Sequence, residues 1–325
     1  GYVRRIRPRI GYIDGERLTA CFEETMKRIV LVVLMIGLSS AFYVSRPINA
    51  VSAAPPQSAT LLGPVSPGFG DYWFQGKAEL TSYNLEQGRY GEMHNGHAVL
   101  IFVTEDFSKS KHVKLDRPQM AGADKVNVLK LNSTRKFNTG IYPYSMMSSV
   151  FTPIQRHIEP RTLKVTTSSQ EWCGHTFTQM DLGTDSYDVR LHSYFENEGE
   201  QALSLDVALL EDEIWNTIRL NPTDLPTGNI KVIPGTLFQR FRHISWTVQE
   251  AVAELKPVAA SDDMMSYSLH YPSYDRDFSI QFKKDFPHEI QSWEDTYSAG
   301  RRGQATTKAT IRKRIMLDYW SKNKA

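Results

Sequence analysis

The stretch Tyr187-Asp188-Val189-Arg190-Leu191-His192-Ser193-Tyr194-Phe195 indicates most clearly which fold this chain adopts. In an extended chain, side chains 187, 189, 191, 193 and 195 point one way and side chains 188, 190, 192 and 194 point the other. The first set is mainly apolar and the second mainly polar, as in a strand with one buried and one solvated face. Similar stretches recur along the chain, and the sequence therefore predicts a mainly β fold.

Strand-like stretches occupy most of the chain after residue 71. The first two are predicted at 72–90 and 97–106, joined by a two-residue type I′ turn at Asn95-Gly96. Further strands are predicted at 126–137, 141–152, 163–172, 175–180, 187–195, 230–233, 237–248, 264–271, 278–283 and 307–319, although Lys313 falls on the apolar side of the last one. Helical spacing of apolar residues predicts a helix over 206–220, and a second short helix is predicted over 287–297. This pattern favours a large curved antiparallel sheet or a wide, partly open barrel with one or two helices, with a β-sandwich as the alternative.

Residues 26–53 have the pattern of a secretory signal peptide. Met26-Lys27-Arg28 precedes an apolar run over 29–41, and Val51-Ser52-Ala53 supplies the small residues of a cleavage site. The run is shorter than the roughly 20 residues that cross a bilayer, and an uncleaved N-terminal anchor is the alternative. We interpret residues 1–25 as translated upstream sequence, 54–70 as a disordered tether and 71–325 as a single all-β domain. The sequence thus predicts export to the periplasm or outer envelope.

Charge and cysteine content limit the classes of function. The 325 residues carry a formal charge of +2, and the excess of basic groups lies in the leader, which disfavours a cationic nucleic-acid binder. We therefore expect no nucleic-acid partner. Cys21 and Cys173 are the two cysteines of the sequence, and Cys21 precedes the signal, so the exported part would form no internal disulfide. No motif for a cofactor is present, and none is predicted.

Glu171-Trp172-Cys173-Gly174-His175 is the densest group of reactive side chains. On a regular strand Cys173 and His175 would share a face and could form a thiolate–imidazolium pair, with the Glu171 carboxylate beside them. That pair would suit a cysteine-dependent hydrolase or transferase. No nucleophile elbow and no Cys-x-x-Cys accompanies it, and a buried structural cysteine beside a strand bend is the alternative.

Two further groups suggest binding sites. Tyr142, Tyr144, Met146, Met147 and Phe151, with Trp172 as an aromatic neighbour, could line an apolar cavity for a lipid-like ligand or could simply pack in the core. His94 and His97 flank the predicted turn, where they would be cross-strand neighbours able to share a metal. Two ligands are too few for a metal centre, and an exposed hairpin tip is the alternative.

Basic and aromatic side chains also come together near the C-terminus: Arg301, Arg302, Lys308, Arg312, Lys313, Arg314, Tyr319 and Trp320. Such a surface could hold an anionic polymer or a lipid headgroup. A solvated sheet face is the alternative interpretation.

Three stretches carry a resemblance to a known group: residues 137–145 (FNTGIYPYS), 168–175 (SSQEWCGH) and 318–320 (DYW). They resemble uncharacterised exported proteins of Bacteroidota-type bacteria that are often labelled septum formation inhibitor Maf. Genuine Maf proteins are cytoplasmic nucleotide pyrophosphatases with an N-terminal Ser-x-Ser-Pro-Arg signature, which this chain lacks. The resemblance implies export and an envelope setting, and it implies no activity, substrate or site residue.

These observations lead to one principal hypothesis and two alternatives. The principal hypothesis is a non-enzymatic exported envelope protein that binds a lipid-like ligand or a cell-wall component within a curved β-sheet. The first alternative is the cysteine-dependent hydrolase or transferase that uses Cys173. The second is a structural protein that joins an envelope protein partner in a complex.

Overall fold

The computed structural model describes residues 62–300 and 303–323, so the predicted signal peptide and the upstream segment lie outside the described residues. Residues 59–325 form one compact unit. The strands of the described part are β1 Ala78–Arg89, β2 Glu92–Ser108, β3 Val113–Lys114, β4 Lys125–Thr139, β5 Tyr142–Pro153, β6 Lys164–Glu171, β7 Gly174–Leu182, β8 Ser186–Ser193, β9 Glu200–Asp206, β10 Leu209–Leu210, β11 Gly228–Ile233, β12 Gln249–Pro257, β13 Met264–Tyr271, β14 Arg276–Lys283, β15 Ile290–Ser298 and β16 Gln304–Leu317. The α-helices of the same part are α1 Phe69–Trp73, α2 Ile214–Leu220 and α3 Thr236–Arg242.

All sixteen of these strands belong to one sheet. Its order is β10-β11-β12-β13-β14-β15-β16-β1-β2-β4-β5-β6-β7-β8-β9, and β3 pairs with β2. Neighbours are antiparallel except for β10 and β11, which are parallel. The edge strands β9 and β10 follow each other in sequence, and the three-residue step from Asp206 to Leu209 spans at most about 10 Å. The sheet must therefore curl until its two edges come close together.

The antiparallel order places alternate connections at opposite ends of the sheet. We call the end with the turns at 90–91, 140–141, 172–173 and 194–199 the upper end. The lower end carries residues 62–77, the connections 109–124 and 154–163, and residues 318–323. The two ends therefore present different sets of side chains.

The helices α2 and α3, with the 3-10 turn at 211–213, fill the concave side of the curled sheet. Every residue of α2 is buried, and Asn216 Nδ2 donates to the carbonyl of Leu129 on β4 over 3.0 Å. The Trp215 ring packs edge-on against Trp293 of β15 with centroids 5.2 Å apart. One core of aromatic and aliphatic side chains joins these helices to both halves of the sheet.

The predicted mainly β fold with one large antiparallel sheet is confirmed, and the sandwich alternative is wrong because these strands form a single sheet. The predicted turn at Asn95-Gly96 is also wrong. Tyr90 and Gly91, with φ angles of 58° and 86°, form the turn between β1 and β2, as a type I′ turn requires positive φ at both positions. Gly96 lies within β2, opposite Phe137 of β4.

Gly96 is required by a close approach of β4. A Cβ atom at this position would lie 2.4 Å from the carbonyl oxygen of Lys136 and 2.8 Å from Cβ of Phe137. We expect Gly96→Ala to lower the free energy of unfolding by about 1–3 kcal/mol, because the two strands must move apart. Gly70→Ala in α1 is the matched control, since its Cβ would meet nothing closer than 3.7 Å. Equal urea midpoints for the two variants would contradict this account.

Three other predictions of secondary structure are corrected, and two strands were missed. The helix predicted over 206–220 is reduced to α2, because residues 211–213 form a 3-10 turn whose acidic side chains are buried. The strand predicted over 237–248 is instead the helix α3, which begins where Asp212 accepts a hydrogen bond from the Thr236 amide. The helix predicted over 287–297 is strand β15, paired on both sides. Strands β9 and β12 were not predicted, since alternation there is weak.

A β-bulge explains why Lys313 falls on the apolar side of the last predicted strand. The pairing of β1 with β16 shifts register, so that Ser82 faces Lys313 while Tyr83 faces Ile311. Such a β-bulge inserts one extra residue and reverses the alternation beyond it. The last strand is therefore genuine although its sequence pattern is interrupted.

Only the second part of the predicted tether over 54–70 lies within the described residues. Residues 54–61 lie outside the described residues, whereas residues 62–70 contact the domain. The amide of Ser66 donates to the carbonyl of Leu220 over 3.0 Å, and Phe69 is buried. In the described part of the chain, no helix combines the length and apolar character needed to cross a membrane.

Candidate functional site

Glu171, Cys173 and His175 do not come together as the sequence suggested. Trp172 and Cys173 form the turn between β6 and β7, so Cys173 is exposed rather than buried and does not share a strand face with His175. Within the described residues no hydrogen bond joins this thiol to an imidazole. Glu171 points to the other side of the turn and is buried against Arg240, with 2.5 Å between its Oε1 and Nη2 of the arginine.

The apolar stretch on β5 is divided between the two faces of the sheet. Tyr144 and Met146 are buried in the core, whereas Met147 lies on the outer face and is 42% exposed. Phe151 also lies on the outer face, stacked on Phe107. Tyr142 and Trp172 contact each other at the upper end, with ring centroids 5.4 Å apart. These six residues therefore do not enclose one cavity.

The two histidines proposed as a metal pair are not cross-strand neighbours. His94 pairs with Gln87 and His97 with Asn84, and both lie on β2 three residues apart, so their side chains point to opposite faces. His94 Nε2 lies 3.1 Å from the carbonyl oxygen of Arg89. Among residues 62–300 and 303–323, no group of three histidine, cysteine or carboxylate side chains could hold a metal ion.

The helix α3 organises a different polar site at the upper end. Its N-terminus is held by Asp212, which accepts from the Thr236 amide over 2.9 Å and from the Thr236 hydroxyl over 3.1 Å. Its apolar side chains Leu237, Phe238 and Phe241 are buried, and this spacing suits one helix face. The helix ends at His243, whose φ of 50° places it in the left-handed region. Arg240 and His243 are thereby presented side by side.

Arg240 and His243 belong to a chain of charged groups. The Arg240 guanidinium, besides its contact with Glu171, lies 3.1 Å from Nε2 of His243 and stacks over the Phe195 ring at 4.5 Å. His243 Nδ1 in turn contacts Glu198 Oε1 in the β8–β9 connection. These contacts tie α3 to two neighbouring turns, and they fix the arginine in one orientation.

Burial alters the acid–base behaviour of this network. Burial lowers the pKa of the Arg240 guanidinium, and the Glu171 charge opposes that change. Burial and the hydrogen bond to Glu171 raise the pKa of the Tyr144 hydroxyl, which also lies 3.0 Å from the Tyr90 hydroxyl. At neutral pH the site therefore offers a charged arginine and the neutral hydroxyl of Tyr144.

A pocket of about 300 Å³ opens beside α3. One wall is formed by Thr178, Leu191 and Leu203 from β7, β8 and β9, and the other by side chains of α3 and of the segment after it. The polar and aromatic members of the lining are Asn197, Glu198, Gln201, Gln239, Arg240, His243, Ser245 and Trp246. Gln239 Oε1 and Arg240 Nε are buried in this lining without a hydrogen-bond partner.

The concave interior holds a second charged cluster but little space. Arg276 is 1% exposed and bridges Glu211 and Asp295, while Arg135 Nε has no hydrogen-bond partner. The cavity between them measures about 30 Å³, room for roughly two water molecules. It is too small for a lipid-sized ligand, so the pocket beside α3 is the stronger candidate for ligand binding.

Sequence reasoning found Glu171 but missed its partners. Arg240, His243 and Trp246 lie in the segment that was interpreted as a strand, and Glu198 lies in a turn without any motif. The spacing of Leu237, Phe238 and Phe241 is compatible with a helix and could have indicated α3. Nothing in the sequence near α3 or near Glu171 shows that this helix packs against the turn after β6.

Comparison with known proteins adds a distant structural likeness. No family model and no curated protein matches the chain. A solved structure similar to it is the β-barrel-like protein of domain of unknown function DUF1849 from Brucella abortus, which is 8% identical, with a TM-score of 0.42, over 74% of this chain and 98% of that one. The case for function therefore rests on this chain's own residues.

Proposed function

We propose that this protein is an exported, non-enzymatic binding protein of the cell envelope that takes a hydroxyl-rich cell-wall component, such as an amino-sugar oligosaccharide, in the pocket beside α3. The observation that carries the proposal is the polar lining of this pocket, in which Gln239 and Arg240 each retain one buried side-chain atom without a hydrogen-bond partner, Oε1 and Nε. A buried acceptor and a buried donor left unpaired each cost about 1–3 kcal/mol. A ligand hydroxyl can pair with an atom of either kind, since it can both donate and accept.

The remaining lining fits the same ligand class. Asn197, Gln201 and Ser245 add side-chain donors and acceptors around the opening. Trp246 adds an aromatic surface on which the apolar face of a sugar ring can pack. The pattern of many polar groups with one aromatic surface favours a saccharide over an acyl chain. Export is supported by the sequence pattern of residues 26–53.

Calorimetric titration tests the proposal. Residues 59–325 should bind soluble peptidoglycan fragments or N-acetylglucosamine oligomers, and Trp246→Ala should weaken binding by about tenfold or more. Arg240→Lys should weaken it similarly, because lysine keeps the charge facing Glu171 but has no Nε donor. The matched control is Trp320→Ala at the lower end, which should bind as the wild type does. Equal affinity for wild type and Trp246→Ala, or no heat of binding with any saccharide, would refute saccharide binding in the pocket beside α3.

A lipid-like ligand is the second candidate, favoured by a groove of about 480 Å³ at the lower end. Its apolar lining consists of Val65, Phe69, Phe74, Val126, Ile154 and Ile158. Binding of a fatty acid that Phe74→Ser abolishes and Trp246→Ala leaves unchanged would support this second candidate in place of the first.

A further inference from the structure

The connection 109–124 at the lower end is a rigid excursion rather than a loose loop. Its strand β3 pairs with β2, so that Lys114 faces Phe107. The Asp124 carboxylate accepts from the Ser108 hydroxyl over 2.5 Å and from the Ser110 amide over 2.8 Å. The amide of Leu115 donates to the carbonyl of Asp106 over 2.9 Å. This excursion therefore presents its side chains in fixed positions.

The excursion and its surroundings carry unpaired positive charge. Lys111, Lys114 and Arg117 are exposed, and none forms a salt bridge with a described residue; the same holds for Lys77 beside them. The carboxylates nearby are largely engaged, since Glu105 pairs with Lys130, Asp106 with Lys125 and Asp318 with Lys322. Within the described part, Asp116 and Asp124 have no salt bridge, so two carboxylates of this kind stand against the four cations. The net charge of the surface is therefore positive.

Large apolar side chains stand among these cations. Met120 is 73% exposed, Val113 46% and Trp320 47%. Lys114 and Trp320 line one depression of about 380 Å³, which shows that the excursion and the C-terminal aromatic residues share a surface. Soluble proteins usually surround cations with water or carboxylates, whereas cations next to projecting apolar side chains are typical of membrane-surface contacts.

The upper end also exposes apolar side chains, among them Ile141 and Tyr194. The turns there carry the exposed carboxylates Glu92 and Glu196, which have no salt bridge to any described residue, and Lys136 is exposed near them. Charges of both signs are therefore mixed at the upper end, whereas cations predominate on the excursion.

We propose that the lower end, with Lys111, Lys114, Arg117, Met120 and Trp320, docks on the surface of an anionic lipid bilayer. The cations contact lipid phosphates and the apolar side chains enter the boundary between headgroups and acyl chains. The described chain also begins at this end, so that an apolar leader retained as an anchor would attach the protein by the same side. The pocket beside α3 would then face away from the membrane.

Vesicle co-sedimentation tests the docking surface. Residues 59–325, a compact unit with its own core, should bind phosphatidylglycerol vesicles, bind phosphatidylcholine vesicles far less, and dissociate in 0.5 M NaCl, at which screening is strong. Replacing Lys111, Lys114 and Arg117 together by glutamine should weaken binding by about a hundredfold, since each cation contributes roughly fivefold. Glutamine at the exposed strand positions Lys231, Lys256 and Lys308 is the matched control and should change binding less than threefold.

A second variant separates a bilayer from a soluble polyanion. Met120→Ser with Trp320→Ser should weaken vesicle binding by about tenfold and leave heparin binding unchanged. Equal binding to neutral and anionic vesicles would overturn the proposal, as would an equal loss in the control lysine variant. If the serine variant bound vesicles like the wild type, the surface would recognise acidic polymers and the bilayer assignment would be wrong.

Discussion

Replacing Arg276 by methionine is expected to lower the free energy of unfolding by about 3–5 kcal/mol, because it leaves two buried carboxylates without a counter-charge. The guanidinium donates to both Glu211 oxygens over 2.6 and 2.8 Å and to Asp295 Oδ1 over 2.7 Å. Burial alone would raise the pKa of Glu211, but the Arg276 charge and hydrogen bonds lower it. The loss should appear as a lower urea midpoint with an unchanged slope.

Lys308→Met is the control for Arg276→Met. It removes an exposed ion pair, in which Lys308 Nζ lies 3.2 Å from Glu294 Oε2, and such pairs contribute about 1 kcal/mol or less. If both variants lost the same stability, the buried triad of Arg276, Glu211 and Asp295 would not hold the turn before α2 against the sheet. Replacing all three triad residues by apolar ones should recover much of the loss, since no unpaired charge then remains.

Asp212→Asn is expected to stabilise the protein at pH 8 and to change little at pH 4. Burial raises the pKa of Asp212 to about 7, and the charge of Glu211 adds to this, whereas an unfolded aspartate titrates near about 3.9. Between these values the folded protein keeps a proton that the unfolded chain has released. The contribution of protonated Asp212 to the free energy of unfolding is therefore complete below about pH 4. It is lost as the pH rises to 7, by up to about 4 kcal/mol in total.

The asparagine variant removes that dependence, because its side-chain carbonyl can still accept from the Thr236 amide but does not ionise. Chemical denaturation from pH 4.5 to 8 should give two curves that diverge steadily. A carboxylate whose pKa is lowered, such as Glu79, makes the free energy of unfolding change with pH in the opposite direction. That contribution is the same in both proteins and cancels in the difference. Asp262→Asn, at an exposed position, should parallel the wild type. A curve for Asp212→Asn that runs parallel to the wild-type curve would refute the raised pKa of Asp212.

The fold could be predicted from sequence where a strand has one buried and one solvent-exposed face. Residues 187–195 and 264–271 alternate cleanly, and β8 and β13 lie within two residues of the predicted bounds. Prediction failed in β15 because its buried face includes the charged Asp295 between Trp293 and Tyr297, so the apolar alternation is interrupted. It failed in α3 because nearly every side chain of this helix is buried, which leaves no period to detect. The turn was misplaced because asparagine–glycine is a local preference, while the register of β2 is set by contacts with β4.

The candidate site was predicted only in part, for a reason of distance along the chain. Glu171 stood out because reactive residues are its neighbours in sequence, yet its actual partner is Arg240. Nothing local distinguishes that arginine from the other exposed or paired arginines. A buried pair formed by remote segments has no signature in either one, and here only the folded chain brings the helix to the turn.

The pairing of β1 with β16 has a consequence for how the protein is made. Ala78 and Leu317, almost the first and last residues of the sheet, lie opposite each other, so one side of β1 stays open until the last strand has emerged. Contacts between such distant positions form slowly, and an open strand edge can pair with another chain in the meantime. If the chain crosses a membrane N-terminus first, aggregation becomes a risk at that step. A chaperone that covers the first hairpin would then raise the yield of folded protein.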